Sequence, residues 1–593
     1  MFITTAAVVC ALAQQVGEGV SPEAAAWVAA NAVELKSCEA GKGFEDLSRL
    51  KDMVGDARIV SLGEPTHGTR EAFQLKHRLM EYLATEMEFR VFSIEANMPE
   101  SYTLNQYVLE GKGDPKELIG GMYFWTWNTE EVLAMVEWMR TFNDEGRARE
   151  GSEFVPLRFT GFDMQTPDVA ATIVMDGVRD TDAGLAEEMR GALERLRLAQ
   201  RQAYEKGDSG GNSGGTGIMV GSFPPDAAKG KKAKVSAWIR TKEVGQFAGW
   251  WFRCDKPDNT PGAFNNMAEF GPKGTTEWKR YEFTLAVPAD TVNINFGPLV
   301  IGGGEAWFDD VGIELDGVKY ENPELFSFDF ENPKVMYLRT TTAGTTAKRV
   351  EEGVHGGKFS LYISPKSVDV AKVDPAEVES ETAKLAAKLI GMRDSLTSAR
   401  GAEQAEWIIQ NGTVVAQCAQ MVAAGPMTGG AVRDECMAQN VKWIIDQDPR
   451  ARVVLWAHNG HVSRQAGFGQ KWMGGHLEEM YPGEMVVFGF ATGEGTYTAM
   501  EQGKGLKSDN VLQKPPAGSV EAHLDAAGKP VLLLDVRGAS VEQAATKWAA
   551  RPTAMRSIGA IAMQQQFYPQ NPVKSYDILV YIKTSTASRL INR

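Results

Sequence analysis

Cysteine is scarce in this chain, at five residues in 593. Cys38, Cys254, Cys418 and Cys436 are scattered, with neither the paired spacing of a zinc site nor a disulfide framework, so they are expected as small buried hydrophobes. Cations are in deficit: 62 Lys and Arg against 77 Asp and Glu leave a net charge of -15. That balance argues against nucleic acid as a partner, because binding a phosphate backbone needs clustered Lys and Arg. No long apolar run of the kind that crosses a bilayer occurs, so no transmembrane segment is expected. A Gly-x-Ser-x-Gly elbow is also missing, and serine hydrolase chemistry is not expected. Histidine numbers only seven, which makes the position of each informative.

What is present belongs to a soluble globular protein, with 43% hydrophobic and 23% charged residues. The length exceeds one ordinary core and implies two or more domains. Residues 1–13 form a short apolar stretch ending Ala11-Leu-Ala13, which suits a signal peptide cleaved before Gln14 and a secreted or periplasmic protein, although a basic n-region is missing. An ordinary buried helix start is the alternative.

The chain is organised around Arg58-Ile-Val-Ser-Leu-Gly-Glu-Pro-Thr-His-Gly-Thr-Arg-Glu71, which reads as strand, tight turn and helix. Ligands of parallel α/β sheets sit beyond the carboxyl ends of the strands, so Glu64 and His67 are expected to face a cleft. A second apolar run, 89–94, delivers Glu95 in the same way. Further strands are expected at 157–161, 452–457, 485–490, 530–534 and 577–582. Helices are expected at 22–35, 44–53, 100–109, 129–142, 182–205, 377–396, 402–424 and 432–447. The aromatic stretch Tyr123-Phe-Trp-Thr-Trp-Asn128 reads as core packing, with a cleft wall as the alternative.

Helical periodicity stops at the glycine-rich linker 207–217 and returns at Pro375. Between them, alternating runs at 234–240, 247–253, 278–286, 291–296 and 306–314 imply a β-sandwich. The fold class is therefore α/β: a mainly parallel central sheet flanked by helices, with a helical subdomain and an inserted all-β sandwich. The expected boundaries are 14–206 and 371–593 for the two parts of the α/β domain and 207–370 for the insert.

The motifs Gly-Glu-Pro-Thr-His67-Gly-Thr-Arg-Glu, Ser-Ile-Glu95-Ala, Gly161-Phe-Asp-Met-Gln165, Arg433-Asp-Glu-Cys-Met-Ala-Gln-Asn440 and Ala457-His-Asn-Gly-His461 occur in order. Together they resemble the erythromycin esterase family over most of the chain outside the insert. The insert's Trp-Phe-Asp-Asp-Val strand resembles the jelly-roll, galactose-binding-like carbohydrate modules. There the Phe328-Asp-Phe-Glu-Asn332 strand comes late, as a circular permutation would place it. The first resemblance implies a hydrolase for a small-molecule ester or lactone, with macrolides and antibiotic resistance within its scope. It implies His67 as the general base, Glu64 and Glu95 orienting it or its water, and His458 assisting the oxyanion or leaving group, with no cofactor. His461 joins this set, and Lys76 stands where the family's characterised esterases carry an Arg. His67 precedes a helix amino terminus, whose dipole favours the neutral base.

Two other readings use the same sequence. Glu64, His67, Glu95, His458 and His461 could ligate a divalent metal such as zinc. Alternatively, Trp250, Trp251 and Trp278 of the insert stack on carbohydrate and the α/β domain is a degenerate scaffold. His77 and His476 are expected to be structural, and His355 and His523 exposed.

Overall fold

The computed structural model describes residues 19–208, 215–256, 261–333, 338–340, 345–365, 373–448, 450–467, 469–501 and 505–591. The expected signal peptide lies outside the described residues, as does most of the glycine-rich linker. The chain divides into two compact units, residues 1–197 with 375–591 and residues 198–374 with 592–593.

The first unit is built on a nine-stranded sheet. Its order is Val33–Glu34, Val531–Asp535, Ile578–Ser585, Met485–Glu501, Ile59–Leu62, Val453–Trp456, Val91–Asn97 and Arg158–Asp163, with Gly505–Leu512 paired to Met485–Glu501. The six strands from Ile578–Ser585 to Arg158–Asp163 run parallel. Ile59–Leu62 is buried at every position, as a central parallel strand covered on both faces must be. The strand Val453–Trp456 lies between Ile59–Leu62 and Val91–Asn97, although it comes some 360 residues after the latter, as Val91 pairs with Val453. Three strand tips thus meet at one crevice.

All seven strands expected for this sheet are present, and the differences lie at their margins. Met485–Glu501 runs on past Phe490 through Ala-Thr-Gly-Glu-Gly. Those glycines belong in the strand because other backbone crowds it: a Cβ at Gly495 would lie 1.8 Å from the Ser585 carbonyl oxygen. The first helix spans only Pro22–Asn31, because Val33 and Glu34 pair with Leu533 and Leu532 at the sheet edge. Sheet pairing there wins over helical continuation.

Ala402–Gln447 is one run of helix interrupted at Gly425, where φ is 74° and Pro426 follows. The break makes a hairpin rather than a rod. Gln410 donates to Asn440, Gln417 to Gln439, and the Cys436 thiol to Gln420, so the two arms run antiparallel. Pro375–Gly391 lies against Ala183–Asp208 through the Lys388–Asp182 and Arg195–Glu381 ion pairs, giving the helical subdomain.

The second unit holds two antiparallel sheets around one apolar core. One is ordered Arg339–Thr340, Thr216–Ser222, Asn293–Ile301, Phe247–Asp255, Pro261–Asn265; the other Thr345–Val350, Ser360–Pro365, Glu305–Leu315, Lys232–Val244, Gly274–Ala286. One expectation fails here, and the burial of two tryptophans weighs against the carbohydrate alternative. Phe328–Asn332 forms turns, not a strand, its Glu331 carboxylate accepting the Lys358 and Phe359 amides. Trp250 and Trp251 are buried in the sandwich rather than open to a sugar. Trp278 is half-buried with its edge toward His355.

Candidate active site

The turn after Ile59–Leu62 is fixed by two glycines. A Cβ at Gly63 would meet Asn459 Oδ1 at 2.2 Å, and one at Gly68 the Thr498 carbonyl at 1.9 Å. Between them stand Glu64 and His67, and the helix Arg70–Met87 then brings Lys76 back beneath the turn.

Glu64 is fully buried and both its oxygens are engaged. Its Oε1 meets His67 Nδ1 at 2.6 Å; its Oε2 accepts from Lys76 Nζ at 2.6 Å and Trp456 Nε1 at 2.8 Å. Burial pushes the Glu64 carboxyl up, but Lys76 and His67 together outweigh it and hold it below the usual range. Burial also brings the Lys76 ammonium down to about 8, against the pull of Glu64 and Glu95. A carboxylate at Nδ1 fixes the His67 tautomer with its proton on that side, so Nε2 keeps its lone pair.

The second cluster gathers at the tips of Val91–Asn97 and Arg158–Asp163. Arg433, from the second arm of the hairpin, donates to Glu95 Oε1 at 2.7 Å and grips both oxygens of Asp163 at 3.0 and 2.7 Å. His461 Nε2 lies 3.3 Å from Glu95 Oε1 and its Nδ1 2.8 Å from Asp434 Oδ1. Burial alone would discharge His461, yet Asp434 and Glu95 raise it to about 10. Burial would likewise raise Glu95, which His461 and Arg433 hold well below the usual range.

His458 stands between the clusters. Its backbone N–H donates to Glu95 Oε2 at 3.0 Å, and its ring lies 5.3 Å from that of His67. The Gly460 N–H donates to its Nδ1 at 3.1 Å, so the ring proton sits on Nε2. That Nε2 is buried and has no partner. Burial, with His67 and His461 nearby, lowers the imidazole to about 3, so it stays neutral. Trp127 closes this side: its indole donates to the Glu95 carbonyl and meets His67 edge-on at 5.8 Å. Trp127 is core and site wall at once, while Tyr123 on the same loop is exposed.

All six candidates, Glu64, His67, Lys76, Glu95, His458 and His461, therefore converge. Sequence reasoning left out Arg433, Asp434, Asp163 and Trp456 as partners, although the first three sit in motifs that carried the resemblance. His523, expected exposed, is buried against Trp548. His77 is buried as expected, and burial lowers it to about 4.

The ligand reading of Glu64, His67, Glu95, His458 and His461 does not fit these contacts. Both carboxylates are matched by cations, both His461 nitrogens are engaged, and the unpartnered His458 Nε2 carries a proton, which leaves His67 Nε2 as the single free donor of the five. Among the described residues, no group of three or more His, Cys, Asp or Glu is placed to hold a metal ion.

A segment far along the chain ties the turn down. The Ser588 and Thr498 amides both donate to the Gly68 carbonyl at 2.9 Å, and Thr586 donates to Glu71 from its amide and hydroxyl at 2.6 and 2.7 Å. The Ile591 amide reaches the Asn128 carbonyl at 3.0 Å, beside Trp127.

Comparison with known proteins bears on the family and the fold. The chain is 29% identical over 153 residues to the uncharacterized HTH-type transcriptional regulator YbfP of Bacillus subtilis, covering 24% of this chain and 52% of that protein. It is 26% identical over 138 residues to erythromycin esterase type II of Escherichia coli, covering 23% of this chain and 31% of that one. The chain thus spans about half or less of these curated relatives. A mutant of the erythromycin esterase EreC in its open conformation superposes over 93% of this chain and 96% of that one, with a TM-score of 0.51 at 12% identity, a likeness of fold alone. The erythromycin esterase family model matches residues 84–240 and 336–585, and the chain belongs to that family.

Proposed function

We propose that the protein is a carboxylic ester hydrolase in which His67 activates water for attack on an ester or lactone carbonyl. The observation that carries this reading is the buried, unpartnered Nε2–H of His458, on a ring whose centroid lies 5.3 Å from that of His67. A buried donor left unpaired costs about 1–3 kcal/mol, and a developing oxyanion satisfies it only when substrate reacts. His67 Nε2 takes a proton from water as its oxygen bonds to the carbonyl carbon. Glu64 stabilises the resulting imidazolium through Nδ1, and Lys76 and Trp456 hold Glu64 in place. On collapse of the tetrahedral intermediate, His67 returns the proton to the departing alkoxide. The substrate class is a small-molecule ester or lactone, macrolides included.

The test begins with a panel of macrolides, acylated sugars and simple esters. On any substrate turned over, His67→Ala should lower kcat by about two to four orders of magnitude with KM nearly unchanged. Full activity in that variant would overturn the role of His67. Export is part of the same proposal, and mass spectrometry of the native amino terminus should find Gln14; an intact Met1 in a cytosolic fraction would refute it.

A further inference from the structure

The hairpin Ala402–Gln447 reaches two places. Its second arm supplies Arg433 and Asp434 to the carboxyl-end crevice. Its open end, where Trp407 and Trp443 face each other, walls a cavity of about 440 Å³ at the amino ends of Val91–Asn97 and Arg158–Asp163, the opposite end of the sheet from Glu95. That volume falls within the range of small-molecule sites. Tyr102 stacks on Trp407 with ring centroids 4.6 Å apart, and Trp443 follows at 6.1 Å. These rings favour a flat, apolar ligand.

The charges around the cavity select its sign. Glu406 is paired with Arg393, Asp448 lies 3.7 Å from Arg450 Nε, and Glu403 sits in the first helical turn, where the amino-terminal dipole favours it. Arg90 gives Nη1 to the Ala84 and Phe89 carbonyls. Arg158, one strand over and bonded to Arg90 through the backbone, also lines the cavity. Among the described residues no carboxylate pairs with its guanidinium. The exposed Arg158 guanidinium is the lining cation left open to an anionic ligand.

We propose that this cavity binds a planar aromatic anion, its rings against Trp407 and Trp443 and its charge on Arg158, and that occupancy is transmitted along the hairpin to Arg433. A ligand seated there fixes the spacing of the two arms, and the Gln410–Asn440 and Gln417–Gln439 contacts carry that spacing toward Arg433. Asn440 also donates to the Phe162 carbonyl at 3.0 Å, next to Asp163, so the arm cannot shift without moving the Arg433 grip. The importance of Arg433 to turnover rests on the hydrolase reading above; binding and transmission do not.

The test uses the full chain with 1-anilinonaphthalene-8-sulfonate as the probe. Calorimetric titration should show one saturable equivalent, weakened about tenfold in Arg158→Ala through loss of a charge-assisted contact. Binding should be lost in Val155→Trp, which plugs the mouth from an exposed position with little risk to folding. Amide exchange across residues 429–440 should slow in the wild type when the probe is bound and stay unchanged in Val155→Trp. Absence of saturable binding, or equal binding in both variants, overturns the site. Binding without altered exchange in 429–440 overturns the transmission.

Discussion

Glu64 and Glu95 stand on either side of Val453–Trp456, both buried and both carboxylates, yet they keep different company. Glu95 is held by an arginine whose charge its acidic partners reinforce and by His461, raised to about 10. Glu64 is held by Lys76, lowered to about 8, and by a histidine with one nitrogen still open. One cluster keeps its charges across the physiological range; the other sits close to losing one. The first is suited to fixing the crevice, the second to moving protons within it.

Arg433→Met gives the largest expected effect that separates the two. It strands Glu95 and Asp163 as buried charges without their cation, at a cost of about 3–5 kcal/mol. Urea denaturation should show it, and a midpoint equal to that of the wild type would dissolve the distinction. His458→Phe is the reverse case. It should lower kcat by about 10²–10³ through loss of the oxyanion donor, while the melting temperature holds or rises because an unpaired buried donor is gone. A large fall in melting temperature with unchanged kcat would assign His458 to the scaffold.

The pH dependence sharpens the contrast further. Lys76 has its folded value at about 8 instead of 10.5, so activity should fall as pH rises through about 8, and Lys76→Arg should move that limb upward. The folded protein binds fewer protons at Lys76 between those values, so the stability drawn from this group rises with pH there. His461 has the opposite slope. Raised from 6.5 to about 10, it contributes fully below 6.5, and its contribution is lost as pH rises through about 10. Thermal melts of the wild type and His461→Gln between those limits should diverge at low pH and converge at high pH; parallel curves would refute it. The smallest effect is expected from joining Glu205 to Val373 through a short linker, which should leave kcat within about twofold if the insert folds apart from the site. An insoluble product would contradict that independence.

The sheet was largely legible because its strands are continuous Val, Ile and Leu runs, and Glu64, His67, Glu95 and His458 follow them directly. Lys76 was legible through the resemblance. Arg433 was not: it opens the expected helix 432–447, where arginine reads as a solvated face, and its partner Glu95 is 338 residues away. Trp456 read only as strand apolarity, although its indole N–H holds Glu64. The expected strand stops at 490, short of the glycines of Met485–Glu501, since close approach of Ser585 is invisible in a local pattern. His523 is expected outside, and only the ring of Trp548 stacked on it shows why it is inside.

The lacing of the His67 turn by residues 586–591 has a consequence for biosynthesis. Glu71 and Thr586 are separated by 515 residues, and a ribosome adding about 5–20 residues per second needs on the order of a minute to bridge them. Throughout that interval Gly68 lacks the Ser588 amide, and the Trp127 loop lacks its tie through Ile591. Glu64, His67 and Lys76 are thus made long before the segment that ties their turn, and the turn is fixed only after that distal segment has left the exit tunnel and docked.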